Sequence, residues 1–123
     1  MLVEFRVKNF RSLRDEQVLS LVASTDRTLL DTHALGTGLK AAPHLLKSAV
    51  VYGANASGKS NLIRALQYMR GVVLESAALQ PGQTFDRLQP FKLDAASASQ
   101  PTEFEVTFIL DGVRYQYGFA MTS

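Results

Sequence analysis

The 123-residue chain contains no cysteine, which excludes a disulfide framework, a thiolate zinc site, an iron–sulfur cluster and a cysteine nucleophile. Basic and acidic residues nearly balance, at 13 against 11. That surplus is too small to indicate a nucleic-acid or membrane partner. No apolar run approaches the roughly 20 residues that span a bilayer, and the N-terminus does not resemble a signal peptide. These absences predict a cytoplasmic protein without membrane contact.

The composition, 46% hydrophobic and 20% charged, is that of a globular domain or part of one. Residues 2–8 alternate between polar and apolar side chains, which predicts a half-buried strand. Residues 17–22 predict a second strand that pairs antiparallel with the first. Residues 25–47 show no sustained period and predict a long connection that can hold a short strand.

The middle of the chain changes from a strand pattern to a helix pattern. Ala49 to Tyr52 is a short apolar run, which predicts a strand buried on both faces, as in a parallel sheet. From Gly58 apolar residues recur at three- and four-residue steps, which predicts a helix to about Leu79. The Ala/Ser-rich stretch at 94–99 predicts an exposed, flexible loop.

Two alternating runs near the end of the sequence, 104–110 and 113–119, flank Asp111-Gly112. An Asp-Gly pair between alternating runs predicts a β-hairpin, because a type I′ turn requires positive φ at both central residues. We expect the aromatic side chains that share one face of the second strand to lie in the core.

The segment that carries chemistry is Gly53-Ala54-Asn55-Ala56-Ser57-Gly58-Lys59-Ser60. It matches G-x-x-x-x-G-K-[ST], the P-loop pattern, and lies between a predicted strand and a predicted helix. The two glycines let the backbone wrap phosphates closely, and the amides at the helix start can point toward an anion. Lys59 can reach the β- and γ-phosphates, and the Ser60 hydroxyl can ligate Mg²⁺. The segment therefore predicts binding of a nucleoside triphosphate.

Other parts of the sequence narrow the class of P-loop protein. The guanine-specifying Asn-Lys-x-Asp string of GTPases is absent. Phe108-Ile109-Leu110-Asp111 fits a Walker B strand superficially, which leaves open a small P-loop kinase with Asp111 as its metal-holding acid. The Asp-Gly signal favours a hairpin turn at the same place.

Two segments together resemble a known family. Asn9-Phe10-Arg11-Ser12 and the run from Val51 to Leu62, which includes Asn55 and Asn61, resemble the RecF/SMC-type branch of ABC ATPases, in particular the ATP-binding proteins related to the OLD nucleases. The resemblance implies an α/β fold: the N-terminal lobe of a P-loop ATPase head, with antiparallel β-hairpins and one P-loop helix, extending over residues 1–123.

The resemblance also implies roles for individual residues. Residues 53–60 and Asn61 would hold ATP and Mg²⁺, and Arg11 and Ser12 would approach the nucleotide from the N-terminal turn. Phe10 is expected to pack beneath the P-loop rather than to stack on adenine.

The family's Leu-Ser-Gly-Gly-like signature and its Walker B Asp-Glu do not occur in this sequence. No catalytic residue is therefore predicted, and we expect ATP binding with negligible turnover. The resemblance implies self-association or a partner ATPase head, and DNA as a partner of longer relatives. A third possibility is a non-catalytic module that binds a partner in a nucleotide-dependent way.

Overall fold

The computed structural model describes residues 1–54, 57–83 and 88–122. Six strands and three α-helices follow one another in these ranges: β1 (Leu2–Lys8), β2 (Gln17–Ser20), α1 (Leu30–His33), β3 (Ala34–Gly36), β4 (His44–Leu46), α2 (Lys59–Glu75), α3 (Ala95–Ala98), β5 (Thr102–Leu110) and β6 (Val113–Met121). One 3₁₀ turn, Ser76–Ala78, continues α2. The predicted helix therefore ends close to its expected boundary.

A four-stranded antiparallel sheet, in the order β2-β1-β5-β6, is the main layer. β1 pairs with β2 as its alternation and position predicted, with Phe5 opposite Leu19. On its other side β1 pairs with β5, with Phe5 opposite Val106. The apolar side chains of β1 thus face one side of the sheet, and its burial alternates along the strand.

The hairpin of β5 and β6 closes at Asp111 and Gly112, as the sequence predicted. Leu110 pairs with Val113, and φ is 51° at Asp111 and 74° at Gly112. Both central residues therefore have the positive φ that a type I′ turn requires. The expectation of a buried aromatic face was wrong for most of β6, because Tyr115 and Tyr117 are 45% and 46% exposed.

The main core lies between the sheet and α2. Ala65 and Met69 of the helix pack against Phe5 and Val7 of β1. Three rings join the parts of this core: Phe10 and Phe104 contact each other at 5.7 Å between centroids, and Tyr68 of α2 stacks on Phe104 at 5.6 Å. Burial raises the pKa of Tyr68, because a phenolate is poorly solvated there.

A second, smaller sheet occupies the segment that the sequence indicated as a long connection. β3 and β4 form an antiparallel pair, and Leu45 of β4 is fully buried. Leu45 forms a cluster with Val3, Ala42 and Ile109. This small sheet therefore covers the end of the main sheet that lies around Val3 and Ile109.

The prediction of a buried strand at Ala49 to Tyr52 was wrong. These residues are not in a strand, and Val50, Val51 and Tyr52 are 72%, 45% and 88% exposed. A run of this kind becomes a strand only when neighbouring strands pair with it. The strands described here pair with one another instead.

The prediction of a loop at 94–99 was wrong, although four of these six residues are exposed as predicted. Asp94 caps the short helix α3, since its carboxylate accepts a hydrogen bond from the Ala96 amide at 3.1 Å. The Ala96 amide and then the Ser97 hydroxyl hold the pKa of Asp94 below its usual range. Ser97 is buried, which fixes this turn against the rest of the domain.

No helix within residues 1–54, 57–83 and 88–122 combines the length and the apolar character needed to cross a membrane.

Candidate nucleotide-binding site

The start of α2 presents backbone donors. Gly58 is the N-cap residue in the left-handed region, and within the described part of the chain it brings no side-chain cap to the helix. The first helical hydrogen bond runs from the Leu62 amide to the Gly58 carbonyl at 3.0 Å. The amides of the first turn therefore have no acceptor within the helix. Together with the positive end of the helix dipole, they form an environment that favours an anion.

At both glycines of the motif, an added Cβ atom would displace a neighbouring side chain. A Cβ atom on Gly53 would lie 2.5 Å from the Ser57 Oγ. Gly58 has φ 97°, and a Cβ atom there would lie 2.8 Å from a methyl carbon of Leu13. Glycine at these places lets the loop fold tightly and lets the N-terminal turn approach the helix start.

The side chain of Lys59 turns back onto its own loop. Its ammonium donates hydrogen bonds to the carbonyl of Gly53 and, at 3.2 Å, to that of Ala54. The Ser57 amide also donates to the Ala54 carbonyl, at 3.1 Å. Both described acceptors of the Lys59 ammonium are therefore neutral backbone carbonyls of the loop.

A cavity of about 370 Å³ lies against the loop and the start of α2. The residues that line it are Ser12, Ala54, Ser57, Gly58, Lys59, Ser60, Asn61 and Arg64. Among these described lining residues there are two cations, three hydroxyl groups and one amide, and no carboxylate. An electrostatic surface of this kind suits a polyanion that also offers many hydrogen-bond acceptors.

The structure brings Ser12 into this cavity and leaves Arg11 outside it. The Asn61 Nδ2 donates a hydrogen bond to the Ser12 Oγ at 2.6 Å. The guanidinium of Arg11 lies over the Phe10 ring, 5.7 Å from the ring centroid, and Arg11 does not line the cavity. Phe10 itself is buried in the core against Tyr68 of the P-loop helix.

The predicted site residues Asn55 and Ala56 lie outside the residues that the structure describes. The other predicted residues of the loop that line the cavity are Ala54, Ser57, Gly58, Lys59 and Ser60, and Gly53 does not line it. Asp111, the metal-holding acid of the kinase alternative, lies exposed in the hairpin turn.

Two residues to which the sequence assigned no role shape this region, and Asn9 is the first. It is buried, and its Nδ2 donates to the carbonyls of Ser97 at 2.8 Å and Gln100 at 3.0 Å. Its Oδ1 accepts from the Phe91 amide at 3.0 Å. Asn9 thus fastens the N-terminal turn to residues that are distant in the sequence, a role that local pattern cannot reveal.

Arg64 is the second residue that the sequence did not indicate. The Arg64 Nη1 donates a hydrogen bond to the Asn61 Oδ1 at 3.1 Å, and Arg64 lines the cavity with Lys59 and Ser60. Its spacing of three residues from Asn61 puts both on one face of α2. Because the sequence already placed Asn61 in the site, this three-residue spacing was the feature that could have identified Arg64.

Residues 48–123 match a protein-family model described as "AAA domain, putative AbiEii toxin, Type IV TA system". The match covers more than half of the chain. The chain belongs to this AAA-domain family. The matched region starts just before the P-loop and contains α2, β5 and β6, and the family identifies it as a nucleotide-binding, ATPase-like P-loop domain. A search of curated proteins found no match.

Proposed function

We propose that this AAA-family chain binds Mg²⁺-ATP at the cavity beside its P-loop. One observation supports the proposal above the others: Lys59, Ser60 and the uncapped amides of α2 converge on a cavity whose described lining has no carboxylate. A triphosphate satisfies backbone donors and the lysine at the same time. Lys59 would exchange its loop carbonyls for phosphate oxygens.

The roles of the individual residues follow from their chemistry. Gly53 and Gly58 keep the loop open to close approach by phosphates. Ser60 supplies a hydroxyl oxygen, the kind of ligand that Mg²⁺ prefers, and the ion would neutralise charge between two phosphates. Asn61 and Ser12 add polar contacts on the side of the N-terminal turn.

In a finer proposal, the chain is the ATP-binding lobe of a RecF/SMC/OLD-like ATPase. The contact between the N-terminal turn Asn9-Phe10-Arg11-Ser12 and the start of α2 supports it. Ser12 accepts a hydrogen bond from Asn61, and Leu13, the next residue, packs beside Gly58. Hydrolysis also needs a positioned water and an acidic group near the γ-phosphate. In this proposal both come from family motifs that do not occur in these 123 residues and from a partner head, so the lobe alone binds ATP with little turnover.

A kinase that uses Asp111 receives less support. Its carboxylate lies in an exposed turn whose backbone conformation explains an Asp-Gly pair without any ligand. An assay of ADP formation with the wild-type chain, Lys59→Ala and Asp111→Asn separates the proposals, because ADP forms whether the γ-phosphoryl group goes to water or to another acceptor. We expect no lysine-dependent ADP formation. ADP formation that both substitutions abolish would support an enzyme that uses Asp111 and refute the binding lobe.

A further inference from the structure

We propose that Arg64 is a second phosphate-binding cation of this site and that a hydrogen-bond chain from the N-terminal turn holds it there. The inference rests on the proposed binding of Mg²⁺-ATP and adds to it a residue outside the P-loop motif. Three residues form the chain: Ser12 accepts from Asn61 at 2.6 Å, and Asn61 accepts from Arg64 at 3.1 Å.

The guanidinium of Arg64 is placed to meet a bound phosphate. Arg64 lies one helical turn beyond Ser60 and lines the same cavity. An arginine carries five N–H donors in a planar fork. The bond to Asn61 uses Nη1, so donors remain for phosphate oxygens, and the fork matches two oxygens of one phosphate.

The charge of Arg64 is held by a neutral group. The described acceptor of Arg64 is an amide oxygen, and no carboxylate occurs among the described lining residues. Salt bridges within the described residues involve Arg6 and Arg14 instead, each beside an acidic side chain. The Arg64 charge is thus oriented toward the cavity without being neutralised there.

The amide that orients Arg64 is itself held by the N-terminal turn. Asn61 has one donor group on Ser12 and its acceptor on Arg64. The turn that carries Ser12 is fastened in turn by Asn9. A long, flexible side chain loses less conformational entropy on binding when it is already positioned in this way.

The test measures the affinity of the full chain for Mg²⁺-ATP and Mg²⁺-ADP in four forms: wild type, Lys59→Ala, Arg64→Gln and Arg70→Gln. Arg70 is the matched control, because it is an exposed arginine on the same helix that does not line the cavity. We expect Arg64→Gln to raise the Kd for ATP about five- to tenfold, as for a charge-assisted hydrogen bond at a solvent-accessible site. Arg70→Gln should change it less than about twofold.

Two further readouts separate a phosphate contact from a merely structural role. Arg64→Gln should weaken the dependence of the ATP Kd on salt, since one ionic contact is lost. Arg64→Lys keeps the charge without the planar fork, and we expect an intermediate Kd. Circular dichroism of each variant reports whether α2 is intact.

The hydrogen-bond chain is tested by a double-mutant cycle with Asn61→Ala and Arg64→Gln. Because Asn61 acts partly through Arg64, the combined loss of affinity should be smaller than the product of the single losses. Losses that simply multiply would overturn the positioning role of Asn61.

An unchanged Kd in Arg64→Gln, with binding lost in Lys59→Ala, would overturn the inference and leave the proposed function standing. Binding that is indifferent to Lys59 as well, or no binding by the wild-type chain, would overturn both.

Discussion

Replacing Asn9 should destabilise the fold more than any exposed polar substitution, although Asn9 does not line the cavity. Its side chain donates to the carbonyls of Ser97 and Gln100 and accepts from the amide of Phe91. Each buried hydrogen bond contributes about 1 kcal/mol net, and the partners left without one add a desolvation penalty. Removing the side chain should therefore cost about 2–3 kcal/mol of unfolding free energy.

The cost of replacing Asn9 has two contributions, lost hydrogen bonds and backbone strain, and two substitutions distinguish them. Its φ is 56°, a conformation that asparagine and glycine adopt readily and alanine does not. Asn9→Ala should therefore cost about 1 kcal/mol more than Asn9→Gly, which loses the same hydrogen bonds without the strain.

Urea denaturation followed by circular dichroism measures both variants, with Asn61→Ala as a control asparagine outside the core. We expect the control to lie within about 0.5 kcal/mol of wild type. An Asn9→Gly variant as stable as the control would refute the stabilising role of the Asn9 hydrogen bonds. An Asn9→Ala variant no less stable than Asn9→Gly would refute the contribution of backbone strain.

Single contacts elsewhere in the chain give three other predictions. Gly58→Ala should raise the Kd for ATP about tenfold in a titration, because alanine at φ 97° costs about 1–2 kcal/mol and its Cβ would displace the Leu13 side chain; binding at wild-type affinity would contradict the loop geometry. Gly112→Ala should lower the unfolding free energy in urea by about 1 kcal/mol, since φ is 74°, and an unchanged midpoint would speak against the turn. Folding lowers the pKa of Asp94, chiefly through the amide of Ala96, so its stabilisation is present above the ordinary carboxyl pKa and is lost as pH falls through the lowered one. Asp94→Asn should therefore remove a part of the acid dependence of stability, and identical pH profiles for both proteins would contradict this.

The parts of the fold that the sequence predicted correctly depend on neighbours in the chain. The Asp111-Gly112 turn sets the register of its hairpin, and the three- and four-residue spacing of apolar side chains sets the helix after Gly58. In both cases local backbone preference and the tertiary structure agree.

The parts that were missed depend on contacts that are distant in sequence. Val50 and Val51 have the composition of a buried strand, yet a strand forms only where another strand pairs with it. Asn9 looks like an ordinary turn residue until Ser97 and Phe91 are beside it.

In the candidate site, too, a local motif predicted some residues and missed others. The P-loop motif predicted that Lys59 and Ser60 would lie together at a helix start, because one local pattern fixes both the loop and the cap. The place of Ser12 came only from the family resemblance. Arg64 became visible only through its hydrogen bond to Asn61, since an arginine at a polar helix position is usually solvated.

Titration calorimetry of Mg²⁺-ATP into the wild-type chain and into Lys59→Ala tests nucleotide binding at this P-loop most directly. We predict a saturable heat with a single site per chain in the wild type. Lys59→Ala should lose this heat, because the amides of α2 remain but the lysine ammonium that binds the phosphates is gone. Circular dichroism should show that its fold is unchanged. Equal binding by both proteins, or no heat in the wild type, would contradict nucleotide binding at this P-loop.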